Sequence, residues 1–196
     1  ERIESRYDLT NQAYTEFLPD TVDEYGDSIR VYKKVQGAFA AIDNATGGVL
    51  ALIGGRDWEE SKFNRAIQST LQPGSAFKPF VYTAAVDNGY RTTHIIDDNP
   101  IVLEIPGAKE WRPHNFDDKF RGPITLREGL QYSRNLVAIK LLLQIHPEQA
   151  IFYARRMGIQ TPLQPVASLA IGVGEVRLIE LVNAYSVFAN QGILIP

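Results

Sequence analysis

The sequence predicts an α/β protein of the α+β type, in which an antiparallel strand pair precedes a large helical portion. Three observations carry this. Two short apolar runs, GAFAAID (37–43) and VLALI (49–53), flank the turn sequence NATGG (44–48), which is the pattern of an antiparallel hairpin. Thr125 and Glu128 of TLRE stand at capping-box spacing ahead of an apolar run, which marks a helix start. The long segments after that point carry helical signals, and strands followed by helices is the α+β order.

The elements follow in chain order. Residues 1–36 carry Asp8, Glu16, Asp20, Asp23, Glu24 and Asp27 among scattered apolar residues, and read as a linker or interdomain segment, or a peripheral strand region. Residues 37–196 form the domain proper. Both faces of the 37–53 hairpin are apolar, so helices are expected to cover it. A helix is expected from Ser75 to about Asn88, with Gly89 as its stop. Residues 90–124 are rich in Pro and Gly and read as loops. A helix then opens at TLRE, and NLVAIKLLLQI (135–145) is a strongly apolar one. Pro147 starts another that Gly158 ends. The last spans 175–192, with Leu178, Leu181, Val182, Tyr185 and Phe188 along one stripe.

Composition excludes several function classes. With 196 residues and 44% apolar content, a proper core is available. The net charge of −3 gives no support for nucleic-acid binding. No apolar run is long enough for a membrane span. Cysteine is absent, which removes disulfides and thiol nucleophiles. His94, His114 and His146 lack the close pairing of a metal motif, so no metal or organic cofactor is expected.

The stretch QPGSAFKPF (72–80) concentrates the chemistry. Ser75 and Lys78 are three apart, so a helix places both on one face. Pro73 and Gly74 put Ser75 at the first turn, where free N–H groups and the helix dipole favour developing negative charge. A serine hydroxyl is a weak nucleophile until a base takes its proton, and a lysine serves when burial or nearby cations lower its pKa. Lys78 is therefore expected to be neutral in the resting protein. By composition alone, such a tetrad occurs about 0.3 times in a chain like this, so a capping serine beside a solvated lysine is the plain alternative. YSRN (132–135) changes the balance, because it sets Ser133 and Asn135 two apart just before the apolar helix. A second hydroxyl can pass a proton between the lysine and a leaving amine, and a carboxamide can donate to and accept from a peptide.

The chain resembles the transpeptidase domain of bifunctional (class A) penicillin-binding proteins. The resemblance covers residues 37–196 and rests on AAIDNATGGVLALIGG, FNRAIQSTLQPGSAFKPFVYTAA, WRPHNF, GPITLREGLQYSRNLVAIK and SLAIGVGEVRLIELVNAYSVFANQGILIP, in that order. It implies the penicillin-binding, β-lactamase-like fold, an antiparallel sheet with a large helical portion. It implies Ser75 as the acylated nucleophile, Lys78 as its general base, and Ser133 as proton relay to departing D-alanine. Asn135 would hold the substrate amide and orient Lys78, and the Ser75 N–H would form half of the oxyanion hole. The implied partners are peptidoglycan stem peptides, with a D-Ala-D-Ala donor and an amine acceptor, and β-lactams as inhibitors. A glycosyltransferase domain is expected upstream, with extracytoplasmic, membrane-anchored placement in the bacterial envelope.

One departure stands out. The family's third motif, Lys-Thr-Gly or Lys-Ser-Gly, is missing from the 196 residues. The fold is therefore expected to be incomplete in this chain, the fragment alone to be inactive, and the hairpin to offer a bare sheet edge. A serine β-lactamase is the enzymatic alternative, but residues 150–174 contain no Asp or Glu to activate a deacylating water. A penicillin sensor is the non-enzymatic one. Trp111, Pro113 and Asn115 are read as structural; Arg134 could face a substrate carboxylate, and its role is left open.

Overall fold

The computed structural model describes residues 15–22, 28–32, 36–59, 61–104, 107 and 109–195. Within the segment expected as a linker or peripheral strand region, β1 (Thr15–Val22) pairs antiparallel with β2 (Ser28–Tyr32). The rest of 1–35 lies outside the described residues.

The predicted hairpin is present as β3 (Phe39–Ile42) and β4 (Val49–Ile53), with Phe39 opposite Ile53 and Ala41 opposite Ala51. Asp43 builds its turn. Its carboxylate accepts from the Ala45 N–H and the Thr46 hydroxyl, and its carbonyl from the Gly47 N–H. Gly47 takes a positive φ of 73° there, which suits glycine. The expected cover is only partial. One helix packs on β3, whereas every residue of β4 is exposed, Leu50 to 72%. The apolar side chains of β4 are thus left largely uncovered among the described residues.

Two shorter strand pairs brace the helical portion: β5 (Thr70–Leu71) with β8 (Val176–Arg177), and β6 (Ile95–Asp97) with β7 (Pro123–Thr125). The helices are α1 (Lys78–Asp87), α2 (Leu126–Gln131), α3 (Asn135–Ile145), α4 (Pro147–Arg156) and α5 (Leu178–Ala189). It is α5 that covers β3. Burial of Lys78, Phe80, Val81, Tyr82, Ala84 and Ala85 covers most of α1's circumference, the mark of a central helix. It packs against α3 and α4, where Ala84, Ala85, Ala138, Ala150 and Ala154 are all fully buried and allow close approach.

Helix ends follow local chemistry. The capping box at α2 forms as read: the Thr125 hydroxyl accepts from the Glu128 N–H, and the Glu128 carboxylate accepts from the Thr125 N–H. The start of α1 differs from expectation. Residues Gly74–Phe77 form a 3-10 turn, and α-helix begins only at Lys78. Pro79 explains this, because it has no N–H and fits only the first turn of an α-helix.

Candidate active site

The 3-10 turn ahead of α1 sets the first pair of residues. The Lys78 N–H donates to the Ser75 carbonyl, and in a 3-10 helix side chains at i and i+3 eclipse. Ser75 is exposed while Lys78 is only 1% exposed. No described group accepts from the Ser75 N–H. The turn is held from behind by glycine. Gly74 donates to the Gly172 carbonyl at 3.2 Å. Gly172 has a φ of 72°, and a Cβ there would fall 2.0 Å from the Gly74 carbonyl oxygen, so no side chain fits. On the other flank the Tyr185 hydroxyl of α5 donates to the Ala76 carbonyl at 2.7 Å.

The second pair sits on the link between α2 and α3. Here α2 closes with a Schellman motif, in which the Ser133 N–H bonds the Leu130 carbonyl and the Arg134 N–H bonds the Gly129 carbonyl. Ser133 occupies the left-handed position of that motif, with a φ of 51°. The same motif ends α1 at Gly89 and α4 at Gly158, with the usual glycine. Ser133 thus holds a conformation that disfavours a side chain, and it turns both its carbonyl and its hydroxyl toward α1.

These oxygens meet on Lys78. Its Nζ donates to Ser133 O at 2.6 Å, to Ser133 Oγ at 3.0 Å and to Asn135 Oδ1 at 2.7 Å. Burial, then the charge of Arg134, lowers the Lys78 amine from 10.5 to about 8. The shift is toward the neutral amine expected of a resting base, while the three oxygens around Nζ favour the ammonium. The neutral amine still fits the cage. It has two N–H donors for Ser133 O and Asn135 Oδ1, and its lone pair can face a hydroxyl, which both donates and accepts. Ser75 is not hydrogen-bonded to Lys78 among the described contacts. A free site is often looser than its substrate complex.

A buried network supports the 133–135 turn. Asn115 is 1% exposed, and its Oδ1 accepts from the Asn135 N–H at 2.8 Å and the Leu136 N–H at 3.3 Å. It thereby caps α3 from another segment and satisfies two orphan donors. Its Nδ2 donates to Asp98 and to the Lys119 carbonyl. Arg134, whose role the sequence left open, does not face the cleft. It is 4% exposed, with Nε on Asp98 at 2.8 Å, Nη1 on both oxygens of Asp117 at 3.0 Å, and Nη2 on the Lys119 carbonyl. Two carboxylates of its own chain satisfy it. The Asn135 Nδ2 donates to the His114 carbonyl at 3.0 Å and keeps one N–H over.

Of the four residues singled out from sequence, Lys78, Ser133 and Asn135 are in direct contact, and Ser75 is one turn from Lys78. Asp98 and Gly172 were not found by sequence reading. Asp98 lies in a run of ordinary loop residues and gives no local signal. Gly172 had one, since AIGVG (170–174) places two glycines two apart, and glycine is what a close backbone approach requires.

With this geometry in view, the comparisons with known proteins agree on one family. Residues 37–196 match the family model described as the penicillin binding protein transpeptidase domain. Penicillin-binding protein 1A of Pseudomonas aeruginosa is 42% identical over 188 residues, covering 89% of this chain and 23% of that protein. Penicillin-binding protein 1A of Neisseria meningitidis is 44% identical over 161 residues, covering 81% and 20%. The crystal structure of penicillin-binding protein 1A from Haemophilus influenzae superposes with a TM-score of 0.79 at 33% identity, over 88% of this chain and 26% of that one. The PonA1 protein of Mycobacterium tuberculosis in complex with penicillin V gives a TM-score of 0.71 at 26% identity, over 82% and 46%. The chain belongs to the penicillin-binding protein transpeptidase domain family, and it has the fold of that family. It spans under a quarter of the length of these curated relatives.

Proposed function

We propose that this domain is a serine D,D-transpeptidase that cross-links peptidoglycan stem peptides and is acylated by β-lactams. The observation that carries the reading is the buried Lys78 amine. It stands one turn from an exposed serine hydroxyl and in contact with a second hydroxyl and a carboxamide. Lys78 takes the proton of Ser75, whose Oγ attacks the carbonyl of the penultimate D-alanine. The Ser75 N–H stabilises the oxyanion that forms. Ser133 passes the proton held by Lys78 to the departing nitrogen, and D-alanine leaves as the C–N bond breaks. The acyl-serine is then attacked by an amine of a second stem, whose proton returns through the same relay, so that Ser75 is regenerated. Asn135 keeps Lys78 in line and offers its remaining N–H to the donor peptide. A β-lactam follows the first half only, its ring amide opening onto Ser75.

The domain boundary at residue 37, a glycosyltransferase domain upstream and extracytoplasmic placement belong to the same proposal. They are supported by the family match and by the much longer relatives. The test is release of free D-alanine from a stem peptide ending in D-Ala-D-Ala by the full-length protein. Release that disappears in Ser75→Ala supports the reading; release that persists in that variant refutes it.

A further inference from the structure

The network behind the site carries more than structural support. We propose that Asp98, through Arg134 and Asn115, is the positioning residue that fixes Ser133 and Asn135 against Lys78 and so sets the proton relay. The inference rests on the roles given above to Lys78 and Ser133.

Asp98 is fully buried. One of its oxygens accepts from Arg134 Nε at 2.8 Å and from the Arg121 N–H at 3.2 Å, and the other accepts from Asn115 Nδ2 at 2.9 Å. A single carboxylate therefore grips the relay turn from both sides. Arg134 is the residue between Ser133 and Asn135, and Asn115 holds the Asn135 and Leu136 N–H groups. The turn needs such a grip, because Ser133 sits in a left-handed conformation that persists only where its surroundings over-determine it. Charge points the same way. Arg134 is the cation near Lys78 that helps lower its pKa, and Asp98 and Asp117 pair with that cation. Of the elements packed around α1, α1 itself carries Tyr82 and Asp87, α2 Arg127 and Glu128, α3 Lys140, and α4 Glu148, Arg155 and Arg156, none of them bonded to Lys78 among the described contacts; the 170–174 segment brings no charged residue, and α5 places Tyr185 at Ala76.

The test measures acylation by a fluorescent penicillin against pH in the full-length protein, beside thermal unfolding. Asp98→Asn puts an amide donor where three donors converge, and is expected to slow acylation about tenfold or more at pH 7, since small misplacements of reacting groups have effects of that size. Arg134→Met removes the cation and should move the rise in rate to higher pH. Arg134→Lys should restore its position on the pH axis but not the full rate, because lysine lacks the fork that meets two carboxylates. A purely structural role lowers the unfolding temperature and leaves the pH profile unmoved. If Asp98→Asn does not fold, the comparison of Met with Lys at 134 decides alone. Wild-type rates in Asp98→Asn, or an unmoved profile in Arg134→Met, overturn the proposal. Lys78→Ala separates the two readings: acylation there refutes the proposed base, whereas loss there with unchanged Arg134 variants refutes only the positioning role.

Discussion

Lys78 Nζ lies 2.6 Å from the carbonyl oxygen of Ser133 and 3.0 Å from its hydroxyl. One residue presents both of its oxygens to one amine. It can do so because Ser133 takes the left-handed position of a Schellman motif, where α1 and α4 use glycine.

Substituting glycine at this position separates stability from activity. Ser133→Gly relieves the left-handed strain, so stability should hold or rise by up to about 1 kcal/mol. The hydroxyl proposed as the relay is lost, and acylation should fall by about 100-fold or more. Thermal unfolding and penicillin labelling on the same sample check this. A destabilised but fully active variant contradicts it.

The lowered Lys78 pKa sets a pH dependence. In the proposed mechanism the base is the neutral amine, so the acylation rate should rise with pH and level off above about 8. Linkage has a defined sign as well. The folded amine binds its proton more weakly than the unfolded one, so this group adds stability as pH rises from about 8 to 10.5. Lys78→Arg should not acylate at any pH in this range, because a guanidinium stays protonated. A rate that is flat between pH 6 and pH 9, on the order of the wild-type window, contradicts the assignment.

Gly172→Ala tests the backing of the Ser75 turn. A Cβ at this position would fall 2.0 Å from the Gly74 carbonyl oxygen, so one of the two turns must move. We expect a loss of roughly 2 kcal/mol or more in stability, together with slower acylation from a displaced Ser75. An alanine variant with unchanged unfolding temperature would mean that the 170–174 segment does not hold the turn.

Asn115→Ala leaves the Asn135 and Leu136 N–H groups without their acceptor and Asp98 without one donor. The expected cost is about 1–3 kcal/mol, the usual size for stranded buried donors, read by chemical denaturation. Asn115→Asp keeps the acceptor but sets a second carboxylate against buried Asp98 and an oxygen against the Lys119 carbonyl, so it should not recover the loss.

What could be read from the sequence was local. The capping box at Thr125, the extent of α3 and the turn at Asp43 depend on neighbours a few residues away, and each is present. The spacing of Ser75, Lys78, Ser133 and Asn135 was equally visible, because two helix starts carry them. The α-helix expected from Ser75 begins only at Lys78, after a 3-10 turn, because Pro79 fits only the first α-helical turn. Arg134 and Asp98 are 36 residues apart in the chain, and nothing local to either says that they meet. The open face of β4 was not legible either, since an apolar strand reads the same whether or not an element packs on it.

The central claim is that Ser75 is the nucleophile and Lys78 activates it. Mass spectrometry of peptides from the penicillin-treated full-length protein tests it most directly. The account predicts a single penicilloyl adduct, on Ser75, that is absent from Ser75→Ala and from Lys78→Arg. An adduct on any other residue, or labelling that survives either substitution, contradicts it.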